Sequence, residues 1–426
     1  MLKIAIAGLG NVGTALVRQL RQNADLITSR TGMPVVIKAV SARDKSRKRE
    51  CDLSGIEWID NPRGLASLSG VDVVVELMGG AEGAARDLAE ASLSSGKHFV
   101  TANKALIAKH GPALAALSEK NNVQLSFEAA VAGGIPVIKT LREGFAGDEI
   151  DRVSGILNGT CNYILTRMQA EKLSFAAVLS DAQKQGYAEA DPAADIDGFD
   201  TANKLAILTS LAFGVKPDTS SIRVEGIRKI LLSDLQYAEE LGYRIKLLGT
   251  AKRTQEGVEQ NVGPMLVSKK SPLASVNGTL NGVFLYGRRV GPVMLVGKGA
   301  GGEPTANAVT ADIIDIARGA KVYAFSMPAA QLRVLKSGKP PPMRYYMRLL
   351  VQDKPGVVAD IAGIMRDEAL SFESLIQRGR SQMDSVPVVI TIHAGDAEAA
   401  RRAAMKIAEV PTVTEYPCLI PMEDEE

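Results

Sequence analysis

Residues 3–20 read KIAIAGLGNVGTALVRQL: a short apolar stretch, a glycine motif of the form GxGxxG, and the start of a helical pattern. Lys3 to Ala7 has the length and apolar character of a buried parallel strand. Glycines in the turn let the backbone approach a pyrophosphate, and the helix N-terminus presents free N–H groups to it. A glycine turn chosen for its geometry alone is the alternative. This context predicts a dinucleotide-binding unit whose turn residues are Gly8, Leu9, Gly10, Asn11, Val12 and Gly13.

The next predicted strand, Pro34 to Ser41, bears on which dinucleotide is bound. A site selective for NAD usually ends this strand with an acidic residue that bonds the ribose 2′-hydroxyl. Here residues 42–49 read ARDKSRKR, and Arg43 is well placed to hold a 2′-phosphate through its planar guanidinium. A solvated basic loop is the more common fate of such a run. NADP is therefore the favoured cofactor, with NAD as the alternative.

Two further apolar stretches, Val71 to Leu77 and His98 to Thr101, are predicted strands separated by a helical pattern. This alternation is typical of a parallel sheet with right-handed crossovers. Gly79, Thr101 and Lys104 lie at or just beyond the strand ends, the edge where ligands bind in open α/β sheets. We assign them to the cofactor site, although a loop lysine is more often simply solvated.

The composition is that of a globular protein, with 46% hydrophobic and 23% charged residues. A net charge of +2 and an aromatic content of 4% give no support for a nucleic-acid partner. The apolar runs are too short to span a membrane. Cys51, Cys161 and Cys418 are few and far apart, which suits a reducing compartment. The chain begins with a strand rather than a signal peptide, and we expect a cytoplasmic protein.

Residues 182–204 read AQKQGYAEADPAADIDGFDTANK, a cluster of carboxylates followed by a lysine that enters an apolar helix. So much negative charge in a short segment is unfavourable unless cations or a polar substrate compensate it. Asp200 and Lys204 are four residues apart and therefore share one helix face. An ordinary surface ion pair is the alternative. The helix that follows is apolar nearly all round, which favours a partly buried, functional pair.

Residues 128–136, EAAVAGGIP, form a small-residue turn with a carboxylate on its rim. Backbone carbonyls that face outward from such a turn suit a hard cation bound by oxygen alone. By composition a plain glycine turn is the more common outcome. A second polar turn, Ser154 to Thr160, follows an apolar strand and is a candidate wall of a ligand cleft.

These segments together resemble the homoserine dehydrogenase family. VTANKA at residues 100–105 and GILNGTCNYIL at residues 155–165 look like that family, in its order. So does the long pattern A-x3-G-(apolar)-(small)-x2-(D/N/S)-P-x2-D-(aliphatic)-x-G-x-D-x3-K. It is met without a gap by Ala182, Gly186, Tyr187, Ala188, Asp191, Pro192, Asp195, Ile196, Gly198, Asp200 and Lys204. The resemblance covers about residues 1 to 335, with no kinase domain before it, as in the monofunctional type.

The resemblance implies reversible oxidation of L-homoserine to L-aspartate 4-semialdehyde with NAD(P), a step of threonine, methionine and isoleucine biosynthesis. Lys204 matches the family's proton donor, with its pKa lowered by burial and cationic neighbours toward about 7–8. Lys104 matches a second lysine, and Asp200 would orient substrate or lysine. The substrate would be bound by Glu189, Asp195, Gly159 and Thr160, with Glu189 on its ammonium group. Gly186, Gly301 and Glu303 would join the cofactor site. A structural sodium ion would be held by Glu128 and the carbonyls of Val131, Gly133 and Ile135.

The proline-rich stretch KSGKPPP, Lys336 to Pro342, is the clearest linker in the chain. The pattern beyond it predicts the order βαββαβ of a ferredoxin-like unit, with its last strand at Val413 to Leu419. With DKPGV at residues 353–357 it resembles an ACT domain, which binds amino acids. Threonine is the expected effector. A dimerisation or solubility unit without a ligand is the alternative.

The predicted fold class is therefore α/β, with a Rossmann-type parallel-sheet nucleotide domain, an α+β substrate and dimerisation domain, and a ferredoxin-like βαββαβ domain. The boundaries we predict are 1–135 (completed by about 303–335), 136–302, a linker at 336–343, and 344–420. A homodimer or homotetramer is expected. The alternatives are another NAD(P) oxidoreductase of this architecture acting on a different small alcohol or aldehyde, and a non-catalytic dinucleotide and amino-acid sensor.

Overall fold

A computed structural model describes residues 1–378 and 385–423 of the chain. Its strands are β1 (Leu2–Ala7), β2 (Val35–Ser41), β3 (Glu57–Trp58), β4 (Val73–Glu76), β5 (His98–Thr101), β6 (Leu125–Ser126), β7 (Ile150–Ile156), β8 (Arg223–Val224), β9 (Tyr243–Arg253), β10 (Val258–Ser268), β11 (Leu280–Gly287), β12 (Gly291–Lys298), β13 (Met343–Gln352), β14 (Phe372–Gln377), β15 (Ser385–Gly395) and β16 (Cys418–Met422). Its helices are α1 (Asn11–Gln22), α2 (Ala24–Thr31), α3 (Ala84–Ser94), α4 (Lys104–Lys120), α5 (Val137–Lys139), α6 (Gly159–Glu171), α7 (Phe175–Lys184), α8 (Ala193–Ile196), α9 (Phe199–Phe213), α10 (Leu232–Glu240), α11 (Gly302–Ala317), α12 (Val357–Asp367) and α13 (Ala397–Ala408).

The first sheet is parallel and has the order β3-β2-β1-β4-β5-β6. Its central strands are buried on both faces, since β1 is apolar at nearly every position and β4 is buried throughout. The strand order reverses direction between β1 and β4, and a crevice that binds dinucleotides opens at such a point. Helix α11, far along the chain, returns to this domain and packs beside α1: Gln19 Oε1 accepts the Thr310 hydroxyl hydrogen bond at 3.0 Å.

The second sheet is mixed and runs β12-β11-β7-β9-β10-β16-β13-β15-β14, with β8 paired to the same strand, β10, as β9. Its longest pairing joins β9 and β10 from Val258–Arg253 to Ser268–Tyr243. Helix α9 packs on one face of this sheet, where Gly249 of β9 leaves room for the side chains of Thr201 and Leu205. The predicted α/β fold class is confirmed by the parallel nucleotide-domain sheet and this mixed sheet.

The C-terminal part follows the order β13-α12-β14-β15-α13-β16, which is the βαββαβ order expected from the sequence. Within it β16, β13, β15 and β14 are neighbours in an antiparallel sheet. The last predicted strand was placed too early, because the strand spans Cys418–Met422 rather than Val413 to Leu419. The reason is a pairing with the middle of the chain: Met422 also lies beside Leu266 of β10, so the two regions share one continuous sheet.

The proline-rich stretch before β13 lies against the edge of that sheet. The Val258 N–H donates to the Lys336 carbonyl at 2.9 Å, and the Gly338 N–H donates to the Val258 carbonyl at 3.0 Å. In the described ranges the largest hydrophobic core runs from the nucleotide domain into the substrate domain, and a second core fills the rest of the nucleotide domain. A third core underlies the βαββαβ unit, and a small fourth core surrounds Leu248 and Met265 of the large sheet. Among the described residues, no helix combines the length and the apolar character that crossing a membrane requires.

Candidate active site

Asp200 lies at the centre of a buried group of charges. Its Oδ2 atom is 2.8 Å from the Lys204 ammonium nitrogen and accepts a 2.9 Å hydrogen bond from the Asn158 amide. Its Oδ1 atom is 2.7 Å from the Lys104 ammonium nitrogen. Lys204 also donates to the Leu157 carbonyl at 2.7 Å. The residues come from the nucleotide domain (Lys104) and the substrate domain (the others), so the two domains meet at one carboxylate.

Helix α9 explains the burial of this group. Its apolar residues are covered on nearly every side, so the Asp200 and Lys204 side chains, one turn apart, have little access to solvent. Gly198 begins the helix with φ of +91°, in the left-handed region, and an added Cβ would lie 3.0 Å from Val224. The predicted partly buried pair is confirmed, while its catalytic role stays a prediction.

The electrostatics of the group favour the charged forms of Asp200 and Lys104. Burial would raise the pKa of Asp200, but the charges of Lys204 and Lys104 and their hydrogen bonds outweigh it and hold this pKa well below its usual range. Burial would likewise lower the pKa of Lys104, but the nearby Asp200, Asp195 and Glu189 carboxylates raise it instead. The pKa of Lys104 is thus raised, which is the direction opposite to the lowering that favours proton transfer by a lysine.

Asn158 lies in the polar turn that was predicted to line a ligand cleft, but it was not itself assigned as a site residue from the sequence. Its Oδ1 atom caps α6 by accepting the Cys161 N–H at 2.9 Å. Its amide nitrogen bridges two carboxylates, donating to Asp195 at 2.7 Å and to Asp200 at 2.9 Å. The available signal was an asparagine directly after an apolar strand and before Gly159, which is typical of a helix N-cap. The capping bond fixes the side chain, so its amide is held toward both acids.

The carboxylate cluster divides into distinct environments. Asp195 faces Asn158, whereas Asp197 forms a bidentate ion pair with Arg228, and Asp191 accepts the Ala193 N–H at 3.1 Å near the start of α8. The Glu189 side chain is exposed at the rim, near enough to raise the pKa of Lys104. The excess negative charge of this segment is therefore compensated partly by Arg228 and partly by Lys104 and Lys204.

The start of α6 lies beside this loop. The Thr160 hydroxyl donates to the Tyr187 carbonyl at 2.9 Å, and the Tyr163 and Tyr187 rings are 4.8 Å apart. Gly159 has no room for a side chain, since a Cβ would lie 2.7 Å from the Thr279 carbonyl oxygen. Gly186 was assigned to the cofactor site from the sequence. It ends the turn after α7 with φ of +76° and lies beside the predicted substrate residues. The structure thus brings the four predicted substrate residues and Gly186 into one region.

The glycine motif after β1 has the geometry that a bound pyrophosphate requires. Gly8 has φ of +101°, and an added Cβ would lie 2.5 Å from the Leu77 carbonyl oxygen. A Cβ on Gly13 would lie 2.0 Å from the Gly8 carbonyl oxygen, so only glycine permits this close turn. Gly10, by contrast, has open space beside it at the N-terminus of α1. Leu9, Asn11 and Val12 complete the turn into this helix.

The carboxyl ends of β4 and β5 form the adjoining edge of the site. Glu76, buried and missed from the sequence, accepts the Thr101 hydroxyl at 2.6 Å and the Gly79 N–H at 3.0 Å. Asn103 caps α4 by accepting the Leu106 N–H at 3.1 Å. These bonds place Lys104 on the first turn of α4, directed at Asp200. Thr101, Gly79 and Lys104 therefore lie together, as predicted.

The second helix start beside the glycine motif is that of α11. Gly301 has φ of +115°, and Glu303 pairs with Arg18 of α1. A Cβ on Gly302 would lie 3.0 Å from the Asn11 carbonyl oxygen, so this turn touches the dinucleotide turn directly. Two of the sequence-assigned cofactor residues, Gly301 and Glu303, are thus adjacent to the glycine motif.

Arg43 and Arg49, both in the basic run after β2, have different environments. Arg43 is exposed two residues beyond the strand, and no hydrogen bond or ion pair holds its side chain within the described ranges. Arg49, which sequence reasoning did not single out, donates to the Leu9 carbonyl at 3.4 Å and lies over the Trp58 ring at 5.3 Å. Arg43 is free to contact a ligand, whereas Arg49 supports the glycine turn.

The predicted cation loop contains two buried carboxylates. The Glu128 oxygens accept the Ile138 and Lys139 N–H groups, both at 2.9 Å, and the Glu128 N–H donates to Asp312 at 2.9 Å. Burial and the Asp312 charge raise the pKa of Glu128 to about 8. The Asp312 Oδ1 atom is buried without a partner in the described part of the chain.

Three of the four predicted cation ligands in this loop are backbone carbonyls. Val131, Gly133 and Ile135 lie in one tight turn, with φ of +50° at Gly133, and the Ile135 carbonyl already accepts the Val137 N–H at 2.8 Å. No group of three or more His, Cys, Asp or Glu side chains able to hold a metal occurs in the described ranges. Any cation here would therefore depend on carbonyl oxygens. Asp312 was missed because it lies far along the sequence, in α11.

Comparison with known proteins gives one consistent family. Residues 8–128 match the family model described as homoserine dehydrogenase, NAD binding domain, and residues 136–314 match the one described as homoserine dehydrogenase. A homoserine dehydrogenase of Neisseria gonorrhoeae is 42% identical over 398 residues, which are 92% of this chain and 91% of that protein. One of Helicobacter pylori is 38% identical over 99% of both chains.

Solved structures agree with the sequence relatives. The crystal structure of a homoserine dehydrogenase from Thiobacillus denitrificans has a TM-score of 0.93 and 39% identity, covering 99% of this chain and 98% of that one. A hyperthermophilic archaeal homoserine dehydrogenase in complex with NADPH has a TM-score of 0.65 and 26% identity, covering 76% of this chain and 99% of that one. The chain therefore belongs to the homoserine dehydrogenase family, which confirms the family and the oxidoreductase class expected from its motifs.

Proposed function

We propose that this chain interconverts L-aspartate 4-semialdehyde and L-homoserine with a nicotinamide dinucleotide. The observation that carries the proposal is the buried carboxylate of Asp200 between two lysines, 2.7 Å from Lys104 and 2.8 Å from Lys204. A silent binding protein has no need of two ammonium groups brought together at the edge of a cofactor crevice. Reduction of a carbonyl, however, requires a proton source beside the oxygen that receives it.

In the reductive direction the carbonyl oxygen accepts a proton as its carbon accepts hydride. The cofactor, when bound, supplies that hydride. Lys204 donates the proton from its ammonium group and is reprotonated from solvent, while its bonds to Asp200 and the Leu157 carbonyl fix its position. Lys104, which is more exposed, contacts the substrate oxygen from the side opposite Lys204 and stabilises the negative charge that develops on this oxygen. In the oxidative direction neutral Lys204 accepts the proton.

The substrate is an amino acid, so its two charged ends need separate partners. Glu189, exposed at the rim and close enough to Lys104 to raise its pKa, is the acceptor for the ammonium group. The N-terminus of α6, at Gly159 and Thr160, offers backbone N–H groups and a positive dipole end for the carboxylate. Asp195, held by Asn158, sets the shape and charge of the pocket floor.

NADP is the cofactor we favour. The loop after β2 presents Arg43, with no acidic residue at the strand end, and a guanidinium fits a 2′-phosphate. The archaeal relative whose structure is described as a complex with NADPH is consistent with this choice. Gly8 to Gly13 would hold the pyrophosphate, with Gly79, Thr101, Gly186, Gly301 and Glu303 around the remaining parts of the dinucleotide.

A sodium ion would be held by the Glu128 carboxylate and the carbonyls of Val131, Gly133 and Ile135. The support is electrostatic: two buried carboxylates lie side by side, and one Asp312 oxygen lacks a partner in the described part of the chain. A cation would offset that charge. It would order the turn between the domains and take no part in proton transfer.

The C-terminal unit is proposed to bind an amino-acid effector, and threonine, an end product of the pathway, is the effector we favour. The chain is also proposed to form a homodimer or homotetramer. The βαββαβ order supports a regulatory module of the ACT type. About a quarter of this chain has no counterpart in the archaeal relative, since 76% of this chain covers 99% of that one.

The test follows NADPH formation by absorbance, with L-homoserine and NADP+ as substrates. Wild type is expected to turn over, and Lys204→Ala is expected to lose at least about a hundredfold in kcat because the proton donor is gone. Lys184→Ala, an exposed lysine at the end of α7, is the matched control and should retain wild-type rates. No turnover by folded wild type would reject the proposed reaction. Retained turnover in Lys204→Ala would reject its role.

A further inference from the structure

A cavity of about 200 Å³ lies on the face of the large sheet that points away from the active site. Gly249 of β9 faces α9, so its neighbours Leu248 and Thr250, which line the cavity, point to the opposite face. The start of α13 and two prolines, Pro340 and Pro341, border the cavity from the C-terminal side. It therefore lies where the βαββαβ unit meets the substrate domain.

Two of the charged side chains that line this cavity lack hydrogen-bond and ion-pair partners in the described part of the chain. Arg223 of β8 and Glu259 of β10 form no hydrogen bond or ion pair within residues 1–378 and 385–423, and neither does the hydroxyl of Tyr345, a residue that is only 5% exposed. Arg401 of α13, beside them, pairs with Glu398. Arg223 is exposed, so a missing partner costs free energy mainly at the hydroxyl of the buried Tyr345 and at the partly buried Glu259 carboxylate.

The cavity's charges are of both signs and lie close together. Arg223 and Arg401 both line the cavity, and burial and then the Arg401 charge lower the pKa of Arg223. Burial raises the pKa of Glu259 to about 7, although Lys252 and Arg401 oppose the rise. Arg223 pairs across the sheet with Asn261, two residues along β10 from Glu259. Arg223, Glu259 and Arg401 thus line one cavity from β8, β10 and α13, and the cations Arg152 and Lys252 and the acids Glu225 and Glu423 line it as well.

We propose that this cavity binds a small zwitterionic amino acid, with its carboxylate between Arg223 and Arg401 and its ammonium group on Glu259. The neighbouring Leu248, Met265 and Leu419 offer an apolar wall for an uncharged side chain. The assignment rests on the amino-acid effector of the proposed function and gives that effector a location. The location lies apart from the DKPGV turn, which does not line the cavity.

The strand that forms one wall continues into the support of the catalytic loop. A Cβ on Gly226 would lie 2.2 Å from the Ile196 carbonyl oxygen, and the Ile227 N–H donates to that same oxygen at 2.9 Å. Arg228 then pairs with Asp197, three residues before Asp200. A ligand that fixes the position of Arg223 would therefore affect the segment that positions the proposed active site. This contact is a physical route for coupling between the cavity and the active site.

Calorimetric titration of the full-length protein tests the site, with no NADP or homoserine present. The probes are L-threonine, L-isoleucine and L-methionine, together with threonine methyl ester and N-acetyl-threonine. We expect at least one free amino acid to bind and both blocked threonines to bind roughly tenfold or more weakly, because each lacks one charge. Arg223→Gln and Glu259→Gln are each expected to weaken binding by a similar factor, with thermal unfolding checked in parallel.

Arg366→Gln on α12 and Glu409→Gln after α13 make the same charge changes on the exposed surface of the same unit and should bind as wild type. No binding of any free amino acid to wild type would overturn the proposal. So would unchanged binding in both cavity variants, or binding lost only in Glu189→Gln, which would place the ligand in the active site. Turnover is measured alongside: activity without binding rejects this cavity alone, whereas binding without activity rejects the dehydrogenase reaction alone.

Discussion

The ammonium nitrogen of Lys104 lies 2.7 Å from Oδ1 of Asp200, and this contact joins the nucleotide and substrate domains at one carboxylate. Lys104 begins α4 directly after β5, and Asp200 lies in the first turn of α9. Neither element alone forms a site. The contact also explains why the substrate domain carries so many acids: the Asp200 charge is needed where two cations converge, beside the crevice in which a dinucleotide would lie.

Asp200→Asn is expected to reduce kcat by about a hundredfold or more, because both lysines lose the anion that holds them and repel each other. The assay is NADPH formation from L-homoserine and NADP+. Asp181→Asn, on the exposed side of α7, is the matched control. A variant with wild-type kcat would show that the lysines keep their positions without this carboxylate.

The same substitution should change the pH dependence of stability. The pKa of Asp200 is lowered on folding, so its contribution is present above the unfolded-state pKa of about 3.9 and is lost as pH falls below it. We expect wild type to lose more stability than Asp200→Asn between about pH 5 and pH 3. Urea unfolding at a series of pH values measures the difference. Parallel curves for the two proteins would contradict the expected charge state.

Arg43 and Arg49 should differ in what they do for the cofactor. Arg43→Ala is expected to raise the KM for NADPH by about tenfold or more with little change for NADH, since only NADPH has the 2′-phosphate. Arg49→Ala should raise both KM values, because Arg49 supports the glycine turn through the Leu9 carbonyl and Trp58. Steady-state kinetics with both cofactors separates the two. Equal effects of Arg43→Ala on NADPH and NADH would remove the basis for an NADP preference.

Sodium should stabilise the protein through the Glu128 loop. We expect a higher melting temperature in NaCl than in choline chloride at the same ionic strength, because a bound cation favours the charged forms of Glu128 and Asp312, whose pKa values burial raises to about 8 and about 6. Glu128→Gln should abolish this difference, while Glu143→Gln, an exposed acid nearby, should keep it. Thermal unfolding in the two salts gives the measurement. Identical melting temperatures for wild type in both salts would argue against the ion.

Much of this architecture follows from local sequence. GxGxxG after an apolar strand predicted the turn whose geometry excludes side chains at Gly8 and Gly13, because both signals are confined to a dozen residues. The i, i+4 spacing in an apolar helix likewise predicted the buried Asp200–Lys204 pair. The position of β16 could not be predicted in this way, because its pairing with Leu266 depends on a strand more than 150 residues earlier.

The missed residues of the site share one property. Asn158, Glu76 and Asp312 act through bonds to residues distant in sequence, and each looks like an ordinary polar residue within its own segment. Their roles come from the domain packing, which places α6, β4 and α11 around the site. Local patterns predict which elements form, whereas the three-dimensional arrangement decides which polar groups meet.

The attachment of the βαββαβ unit gives a final expectation. Arg348 of β13 and Asp234 of α10 form a buried ion pair at 2.7 Å, and Asp234 also accepts the Tyr346 hydroxyl at 2.8 Å. Arg348→Met should cost about 3–5 kcal/mol of unfolding free energy, because it leaves the Asp234 charge buried without its cation. Arg348→Lys should cost less, since the charge is kept. Arg366→Met removes an exposed pair on α12 and should cost less than about 1 kcal/mol. Urea unfolding of the three variants provides the comparison, and a cost for Arg348→Met no larger than for Arg366→Met would mean that this pair does not hold the unit in place.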